Sequence, residues 1–286
     1  MEKEKKRIFI QKIQSLPTLP TALAKIVSVA ENESSTADDL ADVISKDQSI
    51  SSTILRLVNS AFYGHLRQIS SINHSIVILG FRTVKTMALG VSIFQSTSNP
   101  KRQSFNRTKF WTHSIGVATF AKRIAGKTKS GSGIDQEALF LSGLLHDLGK
   151  VVFDNYFNEE YEVVTKEALE KNEWIGDVEM RLLGMNHSEA GDYLAQKWQF
   201  PPAVIESIRH HHNVDEAHKG NGGMAAITHL ADYCCRKMKL GSGGDNEEVA
   251  LNPLALETCG VTEEILDELI AEVEADRDSI EAFAID

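Results

Sequence analysis

Apolar residues along this chain recur at the spacing of an α-helix, and the apolar–polar alternation of a strand is nearly absent. In the runs 23–30 and 50–61, apolar residues fall three, four and seven positions apart, which places them on one face of a helix. Thr36, followed three residues later by Asp39, resembles a capping box at a helix start. Pro201 and Pro202 are suited to the first turn of another helix. We therefore predict an all-α fold.

Breaks in the helical pattern suggest two units. Asn99-Pro100 opens a polar run that extends to Arg107, and short Gly-rich loops are expected at 127–133 and 241–246. We predict an N-terminal helical subdomain over residues 1–100. A larger helical subdomain is predicted over residues 101–286, and it includes an acidic helix near 263–278.

Composition excludes several protein classes. The chain has 286 residues, of which 42% are hydrophobic and 24% charged, so it is neither disordered nor collagen-like. Its three cysteines are an odd number and two are adjacent, at Cys234 and Cys235, which does not suit a disulfide framework. No signal peptide and no apolar stretch of about 20 residues is found. We predict a cytoplasmic protein that does not enter a membrane.

Charge is distributed unevenly along the chain. Residues 1–130 hold 19 basic and 8 acidic residues, whereas residues 131–286 hold 11 and 32, for a net charge of −10. The acidic balance argues against direct nucleic-acid binding. The basic first half could attract an anionic partner, a phosphate-containing ligand or the acidic half of a second copy in a homodimer. The alternative is that both surfaces are simply solvated.

The histidines carry the strongest chemical signal. Ten are present, and most lie in the second unit with acidic residues near them. Imidazole and carboxylate are ligands of divalent metals, and inward-facing residues on several helices can build such a site at long sequence separations. Any one histidine is more often a buried or surface residue without that role. The candidates from the residues alone are His113, His146 with Asp147, His187, the run His210-His211-His212, and His229 with Asp232.

The dipeptide His146-Asp147 restricts where such a centre can lie. Consecutive side chains on a helix point about 100° apart, so both reach one centre only if it lies close to the helix. The small Gly149 allows that approach. Taken whole, the order His, His-Asp, His, His-His, Asp resembles the HD superfamily of helical metal-dependent phosphohydrolases.

Further motifs narrow the resemblance. The segments SLPTLP (15–20), LVNSAFYG (57–64), ISSINHSIVILGFRTVKTMAL (69–89), LLHDLGKVV (144–152) and PPAVIESIRHHHN (201–213) resemble the HDOD family, over residues 10–240 or so. This resemblance implies an N-terminal helical bundle packed on an HD-like helical core. It also implies an output or adaptor role in bacterial signal transduction.

The resemblance implies roles for the candidate ligands. His113, His146, Asp147 and Asp232 would hold one ion, of iron, manganese or a similar divalent metal. A second ion would be held by His187, His211 and His212, with Asp147 as the bridge. Lys150 matches a lysine that faces the substrate phosphate in hydrolytic relatives, so it is the catalytic candidate if the protein is an enzyme.

Two departures from hydrolytic relatives favour a protein without turnover. The chain reads NVDEAHKGNGG after His212, without the GYP signature of the cyclic-dinucleotide phosphodiesterase branch. Lys109 stands where trinuclear relatives carry a carboxylate ligand. We predict a stand-alone output or adaptor protein that contacts signalling proteins and retains a structural or regulatory metal site. The alternative is a metal-dependent phosphohydrolase acting on a nucleotide or cyclic dinucleotide.

Three other features have two interpretations each. Residues 59–63, with two aromatic rings, could form a partner surface, but packing is favoured. The basic stretch 101–129 could bind an anion, but a solvated face is favoured. Cys234 and Cys235 point apart on a helix, so we predict two buried thiols and no redox pair.

Overall fold

Helices account for all regular secondary structure in the described part of the chain. The computed structural model describes residues 6–7, 10–11, 21–32, 34–59, 69–96, 104–128, 133–217, 222–245 and 250–281, and these ranges contain no strand. The predicted all-α fold is confirmed. The motif at 15–20, the boundary at 99–100, and residues 60–63, 101–102 and 129 lie outside the described residues. None of the described helices is both long and apolar enough to cross a bilayer.

Within the described ranges, five helices lie between residues 21 and 96. Thr36 caps the second of them by accepting the Asp39 backbone N–H, and the Asp39 carboxylate accepts the Thr36 N–H, which confirms the predicted capping box. Gly80, with φ of 86°, separates the fourth and fifth helices. The helices are α1 (Thr21–Glu31), α2 (Ala37–Ser45), α3 (Gln48–Val58), α4 (Ile72–Leu79) and α5 (Phe81–Ser96).

The remaining helices surround α6, whose residues from Phe110 to Ala121 are all buried. Helices α7 and α13 pack along it, and α8, α11 and α12 complete the layer that contains the histidines. The bounds are α6 (Arg107–Lys127), α7 (Gln136–Leu145), α8 (Leu148–Tyr156), α9 (Asn158–Lys171), α10 (Ile175–Leu183), α11 (His187–Lys197), α12 (Pro202–His210), α13 (Gly222–Lys237), α14 (Pro253–Cys259), α15 (Glu263–Glu274) and α16 (Arg277–Glu281).

The first five helices join the rest mainly through α5, which packs on α7. A Cβ atom built at Gly90 would lie 2.2 Å from a side-chain methyl of Leu144, so the two helices approach closely at this glycine. Buried apolar side chains form one cluster that extends from Ile26 to Ile280. A shared core therefore connects the two helical groups.

The acidic C-terminal helices meet basic residues of the same chain. Arg123 on α6 forms ion pairs with Glu272 at 3.3 Å and with Asp276, and Lys237 lies 2.6 Å from Asp267. These pairs are partly or largely exposed, and each contributes little to stability. The Arg123 pairs show that the basic residues 1–130 and the acidic residues 131–286 contact one another within one molecule.

Candidate metal centre

All seven predicted ligands converge at the centre of the second helical group. His113 comes from the middle of α6, and Asp232 faces it from α13. His146 and Asp147 occupy the turn between α7 and α8. Except for His212, which is partly buried, the ligand residues are at most 1% exposed. The remaining histidines are His187, the first residue of α11, and His211 and His212, which follow α12.

The ligand atoms form two neighbouring groups. His113, His146 and Asp232 form one, and Asp147, His187, His211 and His212 the other; within each, the ligand atoms lie within 4.8 Å of one another. Asp147 directs Oδ2 to within 3.3 Å of His146 Nε2 and Oδ1 to within 3.4 Å of His187 Nε2. One carboxylate therefore touches both groups, as the bridging role implied by the resemblance would require.

Backbone carbonyls fix the orientation of two imidazole rings. Nδ1 of His146 lies 2.8 Å from the Gly143 carbonyl oxygen, and Nδ1 of His211 lies 2.8 Å from that of Ile208. A carbonyl can only accept, so each Nδ1 carries the hydrogen and each Nε2 presents its lone pair to the centre. His229, to which the resemblance gives no ligand role, supports this arrangement because its Nδ1 donates to the His211 carbonyl at 2.8 Å.

The inward-facing nitrogens have no hydrogen-bond partner. Four Nε2 atoms are buried and have no hydrogen-bond partner, those of His146, His187, His211 and His212. Burying a polar atom without a partner is costly, and such atoms are few in native proteins. Neutral imidazole nitrogens beside carboxylates are the donor set that a divalent metal takes. The residues present therefore fit one or two divalent ions.

Formal charge favours a cation here. Metal-ligating histidines are neutral. With the histidines in that state, four buried carboxylates exceed the two cations beside them by two negative charges. A divalent ion offsets that excess in an environment where water does not screen it. The carboxylates belong to Asp147, Asp232, Glu179 and Asp245, and the cations are Lys150 and Arg236.

Ionisation of Asp147, Asp232 and His211 suits metal binding. Burial opposes ionisation of Asp147, but the neighbouring cationic and hydrogen-bonding groups, Lys150 first among them, together outweigh it and hold the pKa of that carboxyl well below its usual range. For Asp232, burial is likewise outweighed by Arg236 acting together with the hydrogen bond from His113, and the pKa of that carboxyl is held well below its usual range. Burial lowers the pKa of His211 to about 4. At neutral pH these carboxylates are charged and His211 is neutral.

A second layer of residues, which the sequence pattern did not indicate, holds the ligands. Glu179, fully buried on α10, accepts hydrogen bonds from Nδ1 and the backbone N–H of His187, each at 2.7 Å. Its other oxygen accepts from the Tyr161 hydroxyl at 2.9 Å. A carboxylate that orients a ligating histidine in this way is a common feature of metal sites. The available signal was an acidic residue within an apolar helical stretch, beside Val178.

Lys150 lies beside the centre, and its ammonium group already has three polar partners within the chain. Its ammonium group is 2.9 Å from Asp147 Oδ2, donates to the Gly243 carbonyl at 2.9 Å and lies 3.2 Å from Asp245 Oδ2. The side chain is fully buried. Lys109, in contrast, is exposed on α6. The three free cysteines are buried, and Cys234 and Cys235 pack as apolar residues, as predicted.

Comparison with known proteins agrees with the fold and the motifs. The HDOD domain model matches residues 16–214. An uncharacterised protein of Treponema pallidum is 30% identical over 209 residues, which cover 72% of this chain and 39% of that protein. The chain therefore spans about two fifths of the length of this curated relative.

Solved structures show the same architecture. An HDOD domain protein of unknown function from Geobacter sulfurreducens superposes with a TM-score of 0.80 at 25% identity, covering 98% of this chain and 97% of that one. A candidate phosphohydrolase from Shewanella amazonensis gives a TM-score of 0.75 at 24% identity and covers 96% and 97%. The latter similarity is one of fold. On its sequence motifs, its family match and its helical architecture, this chain belongs to the HDOD domain family.

Proposed function

We propose that this chain is a bacterial signalling output protein that holds one or two divalent ions at the buried centre and acts through contacts with protein partners. The observation that carries the proposal is the burial of Lys150 among polar partners of the same chain. The lysine that would face a substrate phosphate is fully buried and held by Asp147, Asp245 and the Gly243 carbonyl. A complete ligand set beside a sequestered lysine fits a structural or regulatory metal better than turnover.

A metal at this centre would have a structural effect. Its ligands come from α6, α13, the turn between α7 and α8, the start of α11 and the residues after α12. A bound divalent ion supplies positive charge that these side chains share. Because binding to the native state alone raises stability by mass action, ion occupancy would also set how firmly these segments are held together. The affinity for a protein partner that recognises these packed segments would then depend on whether metal is bound.

The cellular setting we propose is the bacterial cytoplasm. All three cysteines are free and buried, and burial raises the pKa of Cys234 to about 12, so the thiol is unreactive. Free thiols are the common state in reducing compartments. This observation supports the proposed setting and the absence of a disulfide role.

A metal-dependent phosphohydrolase is the second candidate. The observation in its favour is the pair of ligand groups that share Asp147, with Lys150 directly beside them. Paired ions would polarise a phosphoryl group and supply hydroxide at neutral pH. In that case Asp147 would bridge the ions, and Lys150 would have to leave its internal partners to reach a nucleotide or cyclic-dinucleotide phosphate.

Turnover measurements separate the two candidates. We expect the protein loaded with Mn²⁺ or Fe²⁺ to hydrolyse nucleotides and cyclic dinucleotides no faster than the double variant His146→Ala/Asp147→Ala. Hydrogen exchange should meanwhile show that metal protects the backbone of the five ligand-bearing segments. Hydrolysis that the double variant abolishes would establish the phosphohydrolase instead.

A further inference from the structure

A cleft of about 200 Å³ lies at the junction of the two helical groups, and we call it the junction cleft. It is lined by residues within 82–89 on α5, within 135–141 at the start of α7 and 198–201 between α11 and α12, with Val27 on α1. None of these lining residues is a candidate metal ligand. Sites for small molecules are common where two structural units meet. The volume is below the roughly 300–1,000 Å³ of pockets for drug-sized molecules, so it suits a smaller one.

Apolar side chains form the base of the junction cleft. Four of the lining residues are apolar and at most 8% exposed, namely Leu89, Leu141, Trp198 and Phe200. The two aromatic rings meet edge to face, with their centroids 6.1 Å apart. The end of α11 fixes their position, because the Phe200 backbone N–H donates to the Ala195 carbonyl at 3.0 Å. This base offers an apolar surface that an aliphatic or aromatic group of a ligand can cover.

Charged side chains of both signs complete the lining. The cations, Arg82 and Lys85, come from α5 in the first helical group, whereas the acids, Asp135 and Glu137, come from the start of α7 in the second. Arg82 and Asp135 form an ion pair in which the two side chains are 73% and 42% exposed, so they lie at the rim. The lining therefore has no net charge, but it presents positive and negative groups on separate helices.

This lining matches a ligand that carries one charge of each sign beside an apolar group. A carboxylate would pair with Arg82 and Lys85, and an ammonium group with Asp135 and Glu137. A ligand with a single charge would desolvate the side chains of the other sign without giving them a new partner. Exposed ion pairs contribute little to stability, so a ligand can replace the Arg82–Asp135 pair at small cost. An α-amino acid with an apolar side chain has both charges and the apolar group within a small molecule.

The junction cleft and the metal centre lie at opposite ends of the same helices. Helix α7 begins after Asp135 in the cleft and ends beside His146. Helix α11 begins at His187 and ends beside Trp198, while α12 begins at the cleft and ends beside His211. A ligand in the junction cleft would therefore contact three elements that each carry a candidate metal ligand at the other end.

We propose that the junction cleft binds a free α-amino acid with an apolar side chain. The side chain covers the base at Trp198 and Phe200, the carboxylate pairs with the cations of α5, and the ammonium group pairs with the acids of α7. The cleft is thus a site at which a small molecule joins the two helical groups. This inference names a ligand site beyond the proposed function, and it holds whether or not the histidine centre binds metal.

Calorimetry on the full chain tests the ligand class, with L-phenylalanine and L-leucine as probes. We expect saturable binding of at least one of them at a single site. Two analogues of phenylalanine each lack one charge, since 3-phenylpropanoate has no ammonium group and 2-phenylethylamine has no carboxylate. If phenylalanine binds, each analogue should bind about tenfold or more weakly, because part of the charged lining then loses its partner. The proposal would be overturned if neither amino acid bound, or if either analogue bound as tightly as phenylalanine.

Variants locate the binding in the junction cleft. Ala138→Phe fills the cleft from α7 and leaves all four charges in place, since Ala138 lines the cleft and is half-buried. The double variant Arg82→Met/Lys85→Met leaves the apolar base and removes the cations. Each should weaken amino-acid binding about tenfold or more. Arg56→Met is the matched control, because Arg56 is also exposed on a helix of the first group but does not line the cleft, and it should bind as the parent does.

Circular dichroism establishes that each variant is folded, and the double charge variant is decisive if Ala138→Phe is not. A folded Ala138→Phe or, failing that, a folded double charge variant that binds the amino acid as tightly as the parent would show that the cleft is not the site. No metal and no turnover are measured, so this outcome is independent of the test of the proposed function.

Discussion

Replacing Gly149 by alanine is expected to destabilise the protein by about 3 kcal/mol or more. A Cβ at this position would lie 1.9 Å from the His187 backbone carbonyl oxygen. Gly191, on the facing helix, is also near the crossing, since a Cβ there would be 3.2 Å from the Gly149 nitrogen. Backbone atoms cannot rotate away from the new methyl group, so α8 and α11 would have to separate. The free energy of unfolding in urea measures this effect.

Gly126→Ala is the matched control. Gly126 also lies within a helix, and a Cβ there would meet nothing within 4 Å. Alanine is the better helix former, so we expect a gain of up to about 1 kcal/mol. Separation of α8 from α11 should also draw Asp147 away from His187, whose facing atoms are now 3.4 Å apart. Equal unfolding free energies for the two variants would contradict this account of the helix crossing.

The second large effect concerns Glu179. Glu179→Gln removes the charge that His187 Nδ1 faces at 2.7 Å, and we expect metal affinity to fall by about 10- to 100-fold. The carboxylate strengthens the imidazole as a donor and fixes which nitrogen faces the metal. Competition with a chromophoric chelator for Mn²⁺ measures the change.

Tyr161→Phe provides the comparison for that measurement. It removes only the hydroxyl bonded to the opposite oxygen of Glu179, so its effect on affinity should be several-fold smaller. Glu179→Asp, which retains the charge but shortens the side chain, should restore part of the affinity. Parent-like Mn²⁺ affinity in a folded Glu179→Gln variant would show that Glu179 does not act through His187.

The helices could be predicted from the sequence because apolar spacing and capping residues indicated the same helices along most of the chain. Apolar spacing marked the buried face of α3, and the Thr36 capping box marked the start of α2. The ligands were predicted for a different reason. Histidine and aspartate are distinctive residue types, and a known family carries them in the same order. Their convergence became visible only in three dimensions.

The supporting residues could not be predicted in this way. Glu179 and Asp245 are common residue types on the surfaces of proteins, and neither is adjacent in sequence to the group it supports, so pattern alone did not separate them from solvated acids. Residues 240–245 resemble an ordinary loop in sequence, because Gly and Ser are the usual residues of turns. The contact of Ser242 with the α6 backbone at Lys109 is specified only by the fold. Arg236 offered a faint signal, four residues after Asp232 on one helix face.

Elemental analysis tests the central claim that the buried histidines and aspartates bind metal. The protein purified without chelator should contain about one or two divalent ions per chain, and His146→Ala/Asp147→Ala should contain none. His210→Ala is the control, since His210 adjoins the cluster but belongs to neither ligand group, and it should retain the metal of the parent. A parent chain that is metal-free, binds none on reconstitution and is no more stable than the double variant would contradict the account.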